Sequence, residues 1–193
     1  MNSVQNNAIN KTSGKIVIKD IVLIGMFTAL ICVMAQLIIP IQPIPFTLSL
    51  VSLFLAGALL SPRNALLAAL AYLLLGTFGL PVFANMQAGP QYLTGMTGGY
   101  LMAYPLMSFL PALGYKYVKK NKVIGLTLGM VISLLLCYFF GTLWFTFVSG
   151  TGFNDALILC VYPYVPFDLV KIAVSVVLGV SLRKTALKQF FVS

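Results

Sequence analysis

Asp168 and Lys171 are the only acid and base lying well inside a candidate membrane span of this chain. Three positions apart, they share one face of a helix, offset by roughly 4.5 Å along its axis. An ionisable side chain at membrane depth costs at least about 2.5–3.5 kcal/mol on insertion scales, so it normally faces a partner, a cavity or a pathway. The pair either neutralises itself and only stabilises a bundle, or marks a binding site. The second reading is preferred, because a buried ion pair tends to break even or lose against apolar replacements. A lysine ammonium in a water-poor site suits a ligand carboxylate or carbonyl, and an aspartate accepts ligand N–H groups while keeping the lysine charged. Asn85, Gln87, Gln91 and Tyr100 add neutral donors and acceptors. The ligand these groups suit is small, partly apolar, and carries both a carboxylate or carbonyl and N–H donors.

Other chemistries fall away on composition. The chain has neither His nor Glu, which removes histidine metal sites, Ser/His/Asp and Cys/His arrangements and glutamate-assisted zinc hydrolysis. Cys32, Cys137 and Cys160 show no Cys-x-x-Cys spacing and read as small apolar fillers. No nucleophile has an evident base, so an enzyme is not expected, nor is a cofactor or a metal. The Gly95-Met96-Thr97-Gly98-Gly99 stretch follows no strand, and no Gly-x-x-x-x-Gly-Lys-[Ser/Thr] occurs. Any ATP-driven work therefore falls to a partner.

The elements that must position these residues are membrane helices. In 193 residues, 60% are hydrophobic and 8% charged, and the mean hydropathy is +1.01. Such values lie outside the soluble range, and recurring apolar runs of about 20 residues favour helices over a β-barrel. The net charge of +9 does not indicate nucleic acid, because every Lys and Arg except Lys171 lies at a span end or in a terminal segment. That distribution is the positive-inside pattern.

Residues 1–14 are polar and lack the apolar centre of a signal peptide. Apolar spans follow at 21–39, 47–60, 65–78, 100–117, 123–148 and 164–182. Lys15 and Lys19, Arg63, the cluster Lys116, Lys119, Lys120 and Lys122, and Arg183, Lys184 and Lys188 mark one side, the cytoplasmic one. The expected fold is an all-α integral membrane bundle of six transmembrane helices with both termini cytoplasmic. It divides into a tail at 1–19, a membrane domain at 20–185 with an outward-facing pocket, and a tail at 186–193. Pro105 and Pro111 are expected to bend the fourth span, and Gly125-x-x-x-Gly129 permits a close helix contact in the fifth.

On the other side lie three uncharged or nearly uncharged connections. The stiff Pro40-Ile41-Gln42-Pro43-Ile44-Pro45 segment is either a short turn or a lid. Residues 79–99 have no charge, many Gly and Pro, and enough apolar side chains to want burial. Irregular backbone at membrane depth is tolerated only against protein or a cavity, so this stretch reads as a folded-in extracellular loop. Residues 149–163 read as the last outer loop, with Asp155 as its only charge.

Four ordered blocks resemble a known family. They are Leu59-Leu60-Ser61-Pro62-Arg63-Asn64-Ala65, then Tyr72-Leu-Leu-Leu-Gly76-Thr-Phe-Gly79-Leu80-Pro81-Val82-Phe83-Ala84, then Thr97-Gly98-Gly99-Tyr100-Leu101, then Pro166-Phe-Asp168-Leu-Val-Lys171. Over residues 20–185 the chain is similar to the BioY family, the biotin-binding S components of energy-coupling factor (ECF) transporters. The resemblance implies biotin as ligand in an outward-facing pocket, with Asp168, Lys171 and Asn85 as polar contacts. It also implies assembly in a prokaryotic plasma membrane with a transmembrane coupling protein and two ATPase subunits. Docking on the coupling protein would use a small-residue face of the first helix, here Gly25 and Ala29; ordinary packing inside the bundle is the other reading of those residues. An S component for another vitamin, or a solitary ion-coupled transporter with Asp168 as proton carrier, remain as alternatives. The chain departs from the family where Asn85-Met86-Gln87-Ala88-Gly89-Pro90 replaces a glycine run, and where Met96 replaces a common proline.

Overall fold

A computed structural model describes residues 18–39, 45–118 and 121–184. The tail at 1–17, the tip of the proline-rich segment at 40–44, Lys119 and Lys120, and the tail at 185–193 lie outside the described residues.

Six helices build the bundle: α1 (Ile18–Ala35), α2 (Ser49–Leu59), α3 (Pro62–Thr77), α5 (Gly98–Tyr117), α6 (Lys122–Ser149) and α8 (Val165–Lys184). They match the expected spans, with ends displaced by a few residues. The short α4 (Gln91–Thr94) and α7 (Phe153–Cys160) lie in connections. Among the described residues, α1, α6 and α8 are long and apolar enough to cross a membrane. The 11-residue α2 is buried along most of its length between α5 and α8. A helix so enclosed need not span the bilayer unaided.

The polarity of the molecule is inverted relative to a soluble protein. Val22, Met26 and Val33 on α1, Leu135, Phe139 and Phe147 on α6, and Val170, Val174 and Val177 on α8 all point outward. Small polar side chains, Ser49, Ser52, Ser108, Ser133, Thr142 and Ser175, are buried inside. Acyl chains solvate the first set, and hydrogen bonds hold members of the second, as where Ser108 Oγ donates to Ala65 O at 2.9 Å.

α5 is the centre of the bundle, packed against α2, α3 and α6. Its contact with α6 is closest where Gly114 faces Gly125 and where Gly129 lies on Leu110 and Pro111, positions at which any Cβ would strike backbone. The Gly125-x-x-x-Gly129 signal thus corresponds to a real helix contact. Pro105 and Pro111 lie inside α5, which continues through both.

Apart from Lys171, the described basic residues gather at one end. There Asn64 Nδ2 donates to Asp20 Oδ1 at 2.7 Å, tying the starts of α3 and α1. Arg183 Nε donates to Ala58 O, its guanidinium 3.8 Å from the Tyr115 ring centroid, so α8, α2 and α5 meet at the same level. Ser61 caps α3, with Pro62 in its first turn.

The opposite end carries the loops. Strands β1 (Ile38–Ile39) and β2 (Phe46–Thr47) pair antiparallel and bracket the proline-rich segment. Residues 79–97 fold back over the helix ends through a single 3-10 turn at Ala84–Met86 and α4. Within the connection 149–163, α7 occupies the middle. Gly150, left-handed at φ 72°, ends α6. Asp155 sits in the first turn of α7, where the helix dipole favours an anion. Ala156 and Cys160, one turn apart, are the buried face that holds so short a helix in place.

Candidate functional site

Two adjoining chambers open under the loop end. The larger, about 430 Å³, falls within the ~300–1,000 Å³ of small-ligand sites. Its aromatic wall comes from α3 and α5, where Tyr72 and Tyr104 stack with centroids 6.0 Å apart. Phe83 from the folded-in loop meets Tyr72 edge-on at 5.7 Å. Phe83 is held down because Gly76 has no side chain and leaves a notch for the ring, while Gly76 O accepts from Gly89 N at 2.8 Å. The polar lining includes Asn85, Gln87 and Gln91 from the loop, Thr47 from β2, and Tyr100. A hydrogen-bonded chain runs from Thr47 Oγ1 to Ser49 Oγ at 2.6 Å and on to Tyr104 Oη at 2.9 Å.

The smaller chamber, about 60 Å³, holds Asp168 and Lys171. Their side chains meet as an ion pair, Nζ to Oδ1 at 2.8 Å, and both are buried. Tyr138 Oη on α6 donates to the other carboxylate oxygen, Oδ2, at 2.6 Å. Lys171 Nζ also lies 3.6 Å from the centroid of Phe46, which stacks on Tyr164 and meets Phe167 edge-on. The aspartate thus has a partner on each oxygen. The lysine, with three donors, has one anion and one aromatic face, and so retains hydrogen-bonding capacity towards a ligand.

Sequence reasoning placed Asp168, Lys171, Asn85, Gln87, Gln91 and Tyr100 around one pocket. The structure divides them. Asn85, Gln87 and Gln91 line the larger chamber, Asp168 and Lys171 the smaller, and Tyr100 lines both, together with Pro45, Thr47 and Tyr104. These four residues form the shared wall. The ribbon bearing Pro45, Phe46 and Thr47 therefore touches both chambers, although its tip lies outside the described residues.

Three contributors were missed. Tyr138 had a signal, a phenol in the middle of an apolar span rather than in the interfacial belts that favour Tyr. Phe46 had none, being one of many aromatics. Gln36, just beyond α1, bonds to the folded-in loop through both ends of its amide; an amide at the end of an uncharged span was its signal. On α1, Gly25 and Ala29 are exposed, and a Cβ at Gly25 would meet nothing within 4 Å. Packing inside the bundle does not use them.

The profile of the BioY family matches residues 5–188. A probable biotin transporter BioY from Pyrococcus horikoshii is 39% identical over 165 residues, covering 86% of this chain and 96% of that protein. A biotin transporter BioY from Thermotoga maritima is 35% identical over 171 residues, covering 89% of this chain and 99% of its own. In three dimensions the chain superposes on the crystal structure of the S-component for biotin from an ECF-type ABC transporter with a TM-score of 0.82. The two are 26% identical, and the match covers 99% of each chain.

Proposed function

The chain belongs to the BioY family, and from that premise we propose that it is the substrate-binding component of an ECF-type importer that captures biotin. The observation carrying this reading is the pairing of an aromatic-walled chamber with an adjoining buried Asp168–Lys171 pair. Biotin fuses a ureido ring to an apolar thioether ring that carries a valerate chain, so it needs apolar walls, acceptors for N–H, and a cation or amide donors for the ureido and carboxylate oxygens. Tyr72, Phe83 and Tyr104 supply the walls. Asp168, Lys171, Asn85, Gln87, Gln91 and Tyr100 are the proposed polar contacts. Engagement of both chambers requires the shared wall at Thr47, Tyr100 and Tyr104 to adjust.

The protein works by binding rather than by catalysis. Its setting is a prokaryotic plasma membrane, with the basic end and both termini in the cytoplasm and the loop end outside. The exposed Gly25 and Ala29 face of α1 docks on the transmembrane coupling protein, and two ATPase subunits supply the energy. A solitary proton-coupled carrier using Asp168 is less well supported, because that carboxylate is already committed to Lys171 and Tyr138.

A competition panel tests the reading. Labelled biotin bound to the purified protein is displaced by unlabelled biotin and not by thiamine or riboflavin. Displacement by another vitamin at lower concentration than biotin would reassign the substrate.

A further inference from the structure

Gln36 lies outside both chambers, yet it makes three hydrogen bonds of 3.0 Å to one turn of the folded-in loop. Its Nε2 donates to Val82 O and Phe83 O, and its Oε1 accepts from Met86 N. Among the described residues, that turn alone places non-glycine residues in the left-handed region, Asn85 at φ 60° and Met86 at φ 56°. Asparagine visits this region readily, whereas for methionine it is unfavourable. Across the turn, Phe83 N donates to Gln87 O at 3.0 Å and Gln87 N donates to Phe83 O at 3.3 Å.

Gln36 also sits at the base of the ribbon. Its neighbour Leu37 accepts from Leu48 N at 3.2 Å, and Ile38 pairs with Thr47. One side chain therefore joins the strand pair bearing Pro45 and Thr47 to the turn bearing Asn85 and Gln87, and all four residues line the larger chamber.

We infer that Gln36 is a positioning residue of the ligand site: it clasps the left-handed turn to the ribbon, holds Asn85 and Gln87 in place, and slows escape of the bound ligand. This rests on the proposed capture of biotin, but the clasp itself has a signature independent of ligand. Without Gln36 the turn relaxes towards right-handed backbone, and the Met86 amide loses its acceptor.

The test uses the full chain in lipid nanodiscs, as wild type, Gln36→Ala, Gln36→Glu and the double variant Gln36→Ala/Met86→Gly. Hydrogen exchange should rise in Gln36→Ala over residues 82–89 and remain unchanged in α5 and α6. Biotin should dissociate about tenfold faster or more, the scale expected for three lost hydrogen bonds, with little change in association. Gln36→Glu keeps the acceptor for Met86 but turns a carboxylate towards two carbonyl oxygens, so it should do no better than alanine. Met86→Gly should recover part of the loss, because glycine adopts positive φ without penalty. Unchanged exchange over 82–89 in Gln36→Ala overturns the clasp whether or not biotin binds. Raised exchange with an unchanged dissociation rate, or a loss that Met86→Gly does not rescue and that spreads through the bundle, overturns the positioning role. Failure of the wild type to bind biotin would instead count against the proposed function.

Discussion

At the scale of single residues, the oxygens of Asp168 are held by different partners, Lys171 on Oδ1 and Tyr138 on Oδ2. All three side chains belong to one electrostatic unit, and removing them singly or together has different consequences. Lys171→Ala leaves a buried carboxylate uncompensated and should cost about 3–5 kcal/mol of stability. The apolar triple variant Asp168→Leu/Lys171→Met/Tyr138→Phe leaves no orphaned group, so its thermal unfolding midpoint should return close to that of the wild type. If the unit only braced the bundle, the triple variant would bind ligand normally; as a site it should be folded and inactive. The pair was readable from sequence because charge inside a 20-residue apolar run is rare and a spacing of three fixes a common face. Its neighbours were less so: Tyr138 stood out only as a phenol inside an apolar span and Phe46 not at all, since they come from α6 and β2 and reach the pair only through tertiary packing. The division into two chambers escaped notice for the same reason: Tyr100 and Tyr104, neighbours on one face of α5, stand between groups far apart in the chain.

At the scale of elements, the folded-in loop is positioned by absences and bonds that periodicity does not report. Phe83 rests where Gly76 lacks a Cβ, hemmed by Tyr72 at 5.7 Å and Tyr92 at 6.2 Å. Gly76→Ala would place a methyl group inside the ring's present position. Overpacking of this kind costs about 1–3 kcal/mol, and here the relief lies towards the larger chamber. We expect helix content to be retained while ligand affinity falls, measured by circular dichroism alongside equilibrium binding; Gly76→Ala/Phe83→Leu should regain part of the affinity. The loop's burial was legible in its uncharged, apolar, Gly-rich composition, and the six bundle helices were legible as apolar runs. α7 was not, because eight residues carry too little pattern and its stability comes from seating Ala156 and Cys160 against the bundle.

For the whole molecule, one end is basic and fixed by caps and ion contacts, the other holds chambers under loops, and α1 runs between them with small residues exposed. α1 thus presents Gly25 and Ala29 at its outer face and Gln36 at its loop end. Binding and coupling should therefore separate. Gly25→Leu should retain biotin affinity in the isolated protein and lose uptake when co-reconstituted with a coupling protein and its ATPases in proteoliposomes; lost affinity would place α1 in the site instead. The multi-pass membrane architecture was legible because apolar spans recur along the whole chain, and the outward small-residue stripe was legible only as spacing, since its exposure depends on which faces α2 and α3 cover. The proposed function stands on the aromatic chamber and the buried pair holding biotin together. Calorimetric titration of biotin into the purified wild type and the folded apolar triple variant tests this most directly. The wild type should bind one biotin per chain saturably and the triple variant none, whereas equal binding by both, or none by the wild type, would overturn the proposed function.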